Sequence, residues 1–297
     1  MGCCCSKKKD NKHITTMKQK TNVKKILYNG ADQYTISHTL LGKGHYGKVY
    51  KALLNGKEKR AIKIIPKIKF KKNEQECLEL VRFHPHNNII YLYLVITIKQ
   101  YYYIISDEYS GGELFDKIKS TTFTEKEAYY IIRQLLLAVK HLHEIGIIHR
   151  DIKPENIIIS DTHHIRLIDF GLAKIEPEII HIKNKCRLGR RVGTPYYQAP
   201  EVIKKYYSEL CDEWSVGIIY YILIVQYPPY NAETDAEIAK KVKYNQKYYD
   251  ENDWLTTSSV TTIIIDNLLN IKVDERWSAE YILENHMNSP EYMFVTI

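Results

Sequence analysis

A chain of 297 residues, 44% hydrophobic and 26% charged, has the length and composition of an ordinary globular protein with room for two lobes. Its formal charge of +8 is uneven: residues 1–33 hold eight lysines against Asp10 and Asp32, a net of +6, which leaves +2 for the rest and points to an anionic surface, not a nucleic-acid-binding fold. The six cysteines (3, 4, 5, 77, 186 and 211) lack the spacing of a disulfide framework or zinc site, and the densest apolar run, Ile218–Val225, is too short to span a bilayer. With no secretory signal to read, a reducing, cytosolic setting is expected.

Met1-Gly-Cys-Cys-Cys-Ser6 fits the N-myristoylation pattern, with Gly2 as acceptor and Ser6 in the required place. Cys3, Cys4 and Cys5 are then candidate palmitoylation sites, and Lys7, Lys8 and Lys9 suit anionic lipid. One acyl chain anchors weakly, so stable attachment needs two signals, and three stand together here. The expected location is the cytoplasmic face of membranes. The plainer reading, a basic leader with incidental cysteines, is the poorer one with three cysteines directly after Gly2. Residues 1–33 are expected to be a disordered, acylated tail, with the fold beginning near Tyr34.

Glycines 42, 44 and 47 precede Val49 with strand-like residues on both sides, which alone also fits a hairpin turn. Ala61–Ile65 reads as a short strand carrying Lys63 inside an apolar run, and residues 71–83 read as a helix containing Glu74, Glu76 and Glu79. Ile89–Ile98 and Tyr101–Ile105 read as two buried strands, followed by Ser106-Asp-Glu-Tyr-Ser-Gly-Gly-Glu113-Leu-Phe-Asp116. Thr124-Glu-Lys-Glu127 is a capping box that opens a long helix, whose apolar face holds Ile131, Ile132, Leu135, Leu136, Val139 and Leu142 and which ends at Gly146.

His149–Asn156 then packs a carboxylate, a lysine and an amide into the six residues from Asp151 to Asn156. Asp151 can accept a proton from an incoming hydroxyl, Lys153 can neutralise a phosphoryl group in flight, and Asn156 offers an amide oxygen to a hard metal such as Mg²⁺. Thirteen residues beyond Asn156, Asp169-Phe170-Gly171 supplies a second oxygen ligand for Mg²⁺.

In this order the two motifs resemble the catalytic loop and metal-binding triplet of eukaryotic protein kinases. The resemblance covers residues 34–287 and is strongest to the calcium-dependent protein kinases, through the Met-Gly-Cys start, Ser-Gly-Gly-Glu-Leu-Phe-Asp and Tyr227-Pro-Pro-Tyr230. It implies an α+β, bilobal kinase fold, with a small β-rich lobe at about 34–106, a larger helical lobe at about 110–287, and a tail at 288–297. ATP and Mg²⁺ are expected between the lobes. Gly42, Lys43, Gly44 and Gly47 would approach the phosphates, with Val49 and Ala61 against adenine and Lys63 on a phosphate. Counting back from His86-Asn-Asn-Ile89 makes Glu76 the carboxylate that holds Lys63, with Glu74 as the alternative. Ser106 would guard the cavity behind adenine, and Asp107 and Tyr109 would bond the base. Asn156 and Asp169 would carry the metal, and Glu113 and Glu155 would line the ATP and substrate sites.

Val192-Gly-Thr194-Pro-Tyr-Tyr-Gln-Ala-Pro-Glu201 resembles the substrate-binding end of an activation segment. There Thr194 joins Asp151 and Lys153 among the catalytic residues, and Lys153 and Thr194 mark Ser/Thr specificity. Asp212 would cap the catalytic-loop backbone, and Glu201 would pair with Arg276. Glu113 and Glu155 together imply protein substrates with Ser or Thr near basic residues. The sequence has no Asp-x-Asp-x-Asp-Gly spacing, so no calcium binding in cis is expected. The rival readings are an acylated pseudokinase or docking scaffold, and a small-molecule kinase of the same fold. The presence of Lys63, Asp151, Asn156 and Asp169 weighs against the first, and the Ala199-Pro-Glu201 segment against the second.

Overall fold

Runs of Ile, Val, Tyr and Thr separated by short polar turns dominate the first hundred residues, and they form strands. The computed structural model describes residues 23–43, 47–70, 72–175, 186–187, 195–204 and 206–288, with backbone alone at 186–187, 195 and 206–207. The expected lipidation sites Gly2, Cys3, Cys4 and Cys5 lie outside the described residues, as does nearly all of the expected tail from 288.

Six strands, β1 (Val23–Asn29), β2 (Asp32–Lys43), β3 (Lys48–Leu54), β4 (Glu58–Pro66), β5 (Leu92–Ile98) and β6 (Tyr101–Asp107), make an antiparallel sheet in the order β1-β2-β3-β4-β6-β5. One face packs a core of Leu27, Tyr34, Ile36, Tyr50, Ile62, Ile96, Tyr103 and Ile105.

The expectation of a disordered tail up to residue 33 is corrected by β1. Asn29 pairs with Asp32 across a two-residue Gly30-Ala31 turn, with Gly30 at φ 62°. Glycine as the first residue of a two-residue loop suits a type II′ hairpin turn. Leu27 is 1% exposed, and the flanking lysines find aromatic partners: Lys24 Nζ lies 3.4 Å above the Tyr50 ring and Lys25 Nζ 4.3 Å above that of Tyr103. The lysines that gave this stretch the look of a solvated tail thus belong to a folded strand.

The chain divides into two compact units: the sheet, comprising the chain to Phe70 with Leu92–Tyr109, and a mainly helical unit of Lys71–Tyr91 with Ser110 onward. The expected division at about 106–110 therefore needs one correction. Helix α1 (Lys72–Phe83) and the loop to Tyr91 belong to the larger unit, where Ile90 N–H donates to the Leu167 carbonyl (3.0 Å) and Leu167 N–H to that of Asn88 (2.8 Å). The Asn88 side chain, 4% exposed, donates to Gln134 Oε1 at 2.9 Å, which fastens that loop to α3 (Glu125–Glu144).

The remaining helices are α2 (Leu114–Ser120), α4 (Pro200–Ile203), α5 (Cys211–Val225), α6 (Asp235–Lys243), α7 (Glu251–Trp254), α8 (Ser259–Leu268) and α9 (Ala279–Asn285). α3 starts at the expected capping box, with Thr124 Oγ1 accepting from Glu127 N–H (3.3 Å) and Glu127 Oε2 accepting from Thr124 N–H (2.7 Å). Its predicted apolar face, Ile131 to Leu142, is wholly buried against α5 and α9. α5 is buried along nearly its whole length and forms the centre of this unit.

Seven short strands complete it among the described residues: β7 (Gly112–Glu113), β8 (Ile147–Ile148), β9 (Ile157–Ile159), β10 (Ile165–Leu167), β11 (Lys174–Ile175), β12 (Cys186–Arg187) and β13 (Tyr206–Tyr207). β9 pairs with both β10 and β7, and β8 with β11. The catalytic loop is strung between β8 and β9, and Asp169 follows β10.

Candidate active site

In the sheet unit, strand register sorts the expected nucleotide residues by face. Val49 lies opposite Lys63, Ala61 opposite Ser106, and Lys63 opposite Ile104. Directly opposed residues share a face, so Val49, Ala61, Lys63 and Ser106 occupy one face, and Tyr50, Ile62 and Ile105 the core face. Asp107 falls on the core side of this alternation, where Tyr93 Oη donates to its Oδ1 at 2.7 Å and the Arg60 guanidinium lies 4.0 Å over the Tyr93 ring. Ser106 Oγ donates to the Asp107 carbonyl (3.3 Å). Tyr109 closes the unit; Lys43 is exposed at the end of β2, and Gly42 pairs with Val49. A Cβ on Gly47 would stand 2.4 Å from the Ile64 carbonyl oxygen, so the backbone runs too close there for any side chain. Glycine at 47 is therefore required by its packing against β4. Gly44 and Thr194 lie outside the described residues.

In the helical unit the catalytic loop is bent by an unusual backbone: Arg150 has φ 63°, the left-handed region that a non-glycine residue enters at a cost. Asp212, fully buried on α5, offsets that cost. Its Oδ2 accepts from His149 N–H and its Oδ1 from Arg150 N–H, each at 2.8 Å, as the sequence predicts. The next residue is Asp151. Its carboxylate receives Asn156 Nδ2 at 2.9 Å and Lys153 Nζ at 3.0 Å, while the same Asn156 amide donates to the Asp151 carbonyl at 2.8 Å. Asn156 belongs to the turn Pro154–Asn156, in which Pro154 presets the backbone, and Lys153 stands immediately before it. With the nitrogen of Asn156 committed to Asp151, its amide oxygen is the atom left for a cation.

Asp169 also sits at φ 63°, and its Oδ1 accepts from Gly171 N–H (3.2 Å). The His149 ring ties the two motifs together: Nδ1 accepts from Asp151 N–H at 3.3 Å, so Nε2–H donates to the Ile168 carbonyl at 3.2 Å. One amide oxygen and one carboxylate are hard donors that suit Mg²⁺, which takes few protein ligands and completes its shell with water and phosphate. Among the described residues no group of three or more His, Cys, Asp or Glu side chains is placed to hold a metal.

Glu113 N-caps α2 and pairs through β7 with Ile158, close behind Glu155. Desolvation, followed by the charges of Asp116 and Glu155, raises the Glu113 carboxyl above its ordinary value. Glu155 Oε2 is buried with no hydrogen-bond partner among the described residues. On α1 the two candidate carboxylates separate. Glu76 is half-exposed and lies 3.5 Å from Lys72 one turn away, whereas Glu74 is 2% exposed on the face that buries Cys77, Leu78 and Val81. Spacing of i, i+3, i+4 and i+7 from residue 74 marked that face in the sequence, and it favours Glu74, the alternative, over the expected Glu76.

The family model described as protein kinase domain matches residues 35–287. The chain belongs to the protein kinase family. Its fold is the bilobal kinase fold. This kinase is 40% identical over 262 residues to calcium-dependent protein kinase 5 of Plasmodium falciparum (isolate 3D7), covering 86% of this chain and 45% of that protein. It is 36% identical over 263 residues to calcium-dependent protein kinase 3 of Plasmodium yoelii yoelii (86% and 48%), and 38% identical over 261 residues to calcium-dependent protein kinase 4 of Plasmodium berghei (strain Anka) (83% and 48%). The chain spans about half the length of the curated relatives it matches.

Two parts of the kinase's polar framework escape a motif reading. One is the expected Glu201–Arg276 pair in its full form: a bidentate bridge (2.6 and 3.0 Å) whose arginine also donates to the carbonyls of Leu210 (2.7 Å) and Asn270 (3.1 Å). The other is His143, whose Nε2 meets Asp212 Oδ2 at 3.1 Å behind the catalytic loop. Burial opposes ionisation of Asp212, but the bond from His143 and the backbone donors hold its carboxyl below the ordinary range.

Proposed function

We propose that this chain is a membrane-anchored Ser/Thr protein kinase that phosphorylates hydroxyls in basic sequence contexts. The observation that carries the catalytic reading is the Asp151 carboxylate, held at 2.9 and 3.0 Å by Asn156 and Lys153. Two donors fix the carboxylate in one orientation, so a substrate hydroxyl meets a preorganised acceptor. Bound Mg·ATP supplies the phosphoryl group. Asp151 accepts the hydroxyl's hydrogen bond and orients its lone pair, and Lys153 offsets charge as the group moves. Asn156 and Asp169 would hold the metal, and Lys63 a phosphate.

The preference for basic substrates is supported by Glu113, whose carboxyl is raised by burial and by two neighbouring acids, and by the orphaned Oε2 of Glu155. An arginine or lysine of a substrate relieves both. Anchoring is supported by Gly2, Cys3, Cys4 and Cys5 followed by Lys7, Lys8 and Lys9. The test is transfer from radiolabelled ATP to peptides that differ only in an Arg-to-Ala change before the serine. Selectivity for the arginine peptide should drop by about tenfold or more in Glu113→Gln and Glu155→Gln, with the alanine peptide unaffected. A chain that transfers no phosphate to any peptide returns the reading to a docking scaffold.

A further inference from the structure

α5 opens with two adjacent carboxylates, Asp212 and Glu213, at 0% and 1% exposure in an otherwise apolar helix. Asp212 is accounted for by the catalytic loop. Glu213 makes no hydrogen bond to that loop among the described residues. Its Oε1 accepts from Ala279 N–H at 3.1 Å, at the start of α9, and stands 3.5 Å from His143 Nδ1; its Oε2 has no hydrogen-bond partner among the described residues. His143 lies in the last turn of α3 with its side chain 11% exposed, and its other nitrogen faces Asp212 Oδ2 at 3.1 Å. A neutral imidazole has a single N–H, yet here both ring nitrogens confront carboxylate oxygens. Two buried carboxylates side by side also repel unless a cation lies between them.

We infer that Glu213 is a positioning residue for phosphoryl transfer: it keeps His143 as an imidazolium, which holds Asp212 aimed at the backbone of His149 and Arg150 and so fixes Asp151. Burial works against charging His143, but Glu213 and Asp212 outweigh it and hold the ring well above the ordinary imidazole range. The other ionisable groups whose charges reach the cluster are Cys211 on α5, Glu201 on α4, and His149 and Arg150 on the loop. α9 supplies the Ala279 N–H, and its Glu280 is paired with Lys140 of α3 at 3.1 Å. Without the Glu213 charge only Asp212 opposes burial, so His143 should give up its proton at a lower pH than in the parent.

Glu213→Gln keeps the acceptor for Ala279 and removes only the charge. Its kcat for peptide phosphorylation should fall by about tenfold to a hundredfold at about pH 8.5 and recover toward about pH 6, where His143 is protonated again. KM for ATP and peptide should stay within about twofold of the parent, because neither ligand touches Glu213. Since kcat rests on the phosphotransfer reading above, the second measurement is independent of activity: imidazole NMR of the parent chain, with the His143 resonances identified by their loss in His143→Gln. Those resonances should show a charged ring at about pH 8 in the parent and a neutral one in Glu213→Gln. A neutral His143 in the parent at pH 7 overturns the inference. So does a Glu213→Gln enzyme whose pH profile matches the parent's, or whose kcat falls equally at all pH values.

Discussion

Asp151 receives two donors, Lys153 and Asn156, from the segment that follows it. Asp151→Asn abolishes the acceptor for the substrate hydroxyl and should lower kcat by about two to four orders of magnitude with ATP affinity retained. Steady-state assays with parallel nucleotide-binding measurements check this, and near-parental turnover would remove Asp151 from the chemistry. On α1, Glu74→Gln should cost far more activity than Glu76→Gln, because Glu74 lies on the buried face while Glu76 pairs with Lys72 in solvent. Equal losses would restore Glu76 to the role expected for it. His86 gives a pH prediction. Burial, then the charges of His141 and Arg166, lower its pKa from 6.5 to about 4, and its Nδ1 accepts from Asn88 N–H at 3.1 Å. The folded chain therefore holds the neutral ring while the unfolded chain takes up a proton. Stability is whole above about pH 6.5 and drains as pH falls toward about 4. Partial solvent access keeps this to about 1–2 kcal/mol. Thermal melts of His86→Asn, whose side chain can still accept that bond, should be less acid-sensitive than those of the parent.

Among the elements, α5 and α8 approach so closely at Gly217 that an added Cβ would lie 2.7 Å from Leu268 Cβ and 2.9 Å from Leu269 Cδ2. Alanine is worth about 1 kcal/mol over glycine inside a helix, but overpacking a core costs about 1–3 kcal/mol. Gly217→Ala should therefore lose about 1 kcal/mol, seen as a Tm lower by about 2–4 °C; a raised Tm would mean that the two helices part without strain. How far each element was legible follows from where its information lies. The cap of α3 and its buried face were readable because both are local: a Thr-x-x-Glu box and a 3.6-residue period. The catalytic loop was readable because its spacing is rigid. β1 was missed because two lysines masked a strand whose aromatic partners, Tyr50 and Tyr103, are far away in sequence. The choice between Glu74 and Glu76 turned on helix phase, which the residues carried and motif counting overrode. The grouping of α1 with the larger unit depends on backbone bonds from Asn88 and Leu167, which no side-chain pattern announces.

Across the whole molecule, Glu201 and Arg276 close a bridge between residues 75 apart, buried at both ends. Arg276→Ala should cost about 3–5 kcal/mol by leaving a buried carboxylate unpaired, while the double change to Met and Leu should cost much less; denaturant melts of the two variants check the difference. Control should also act at this scale. Leu172–Gly193 contains no Ser, Thr or Tyr, and Arg150 Nε donates to the Leu172 carbonyl at 2.8 Å. Phosphate transfer by this chain is accordingly expected without loop phosphorylation, and an enzyme inert until another kinase acts would refute it. Finally, β1 is an outermost strand of the sheet, and it covers the first half of β2, Asp32–Ser37. Trimming the chain to the family boundary near residue 35 would strip that cover and leave the outward backbone donors and acceptors of residues 35–37 facing water. Open edges of this kind recruit other strands. A chain begun at Tyr34 should therefore self-associate with rising concentration in light scattering, while one begun at Val23 stays monomeric. The hairpin that joins the basic leader to the kinase is thus a guard on solubility as well as a link.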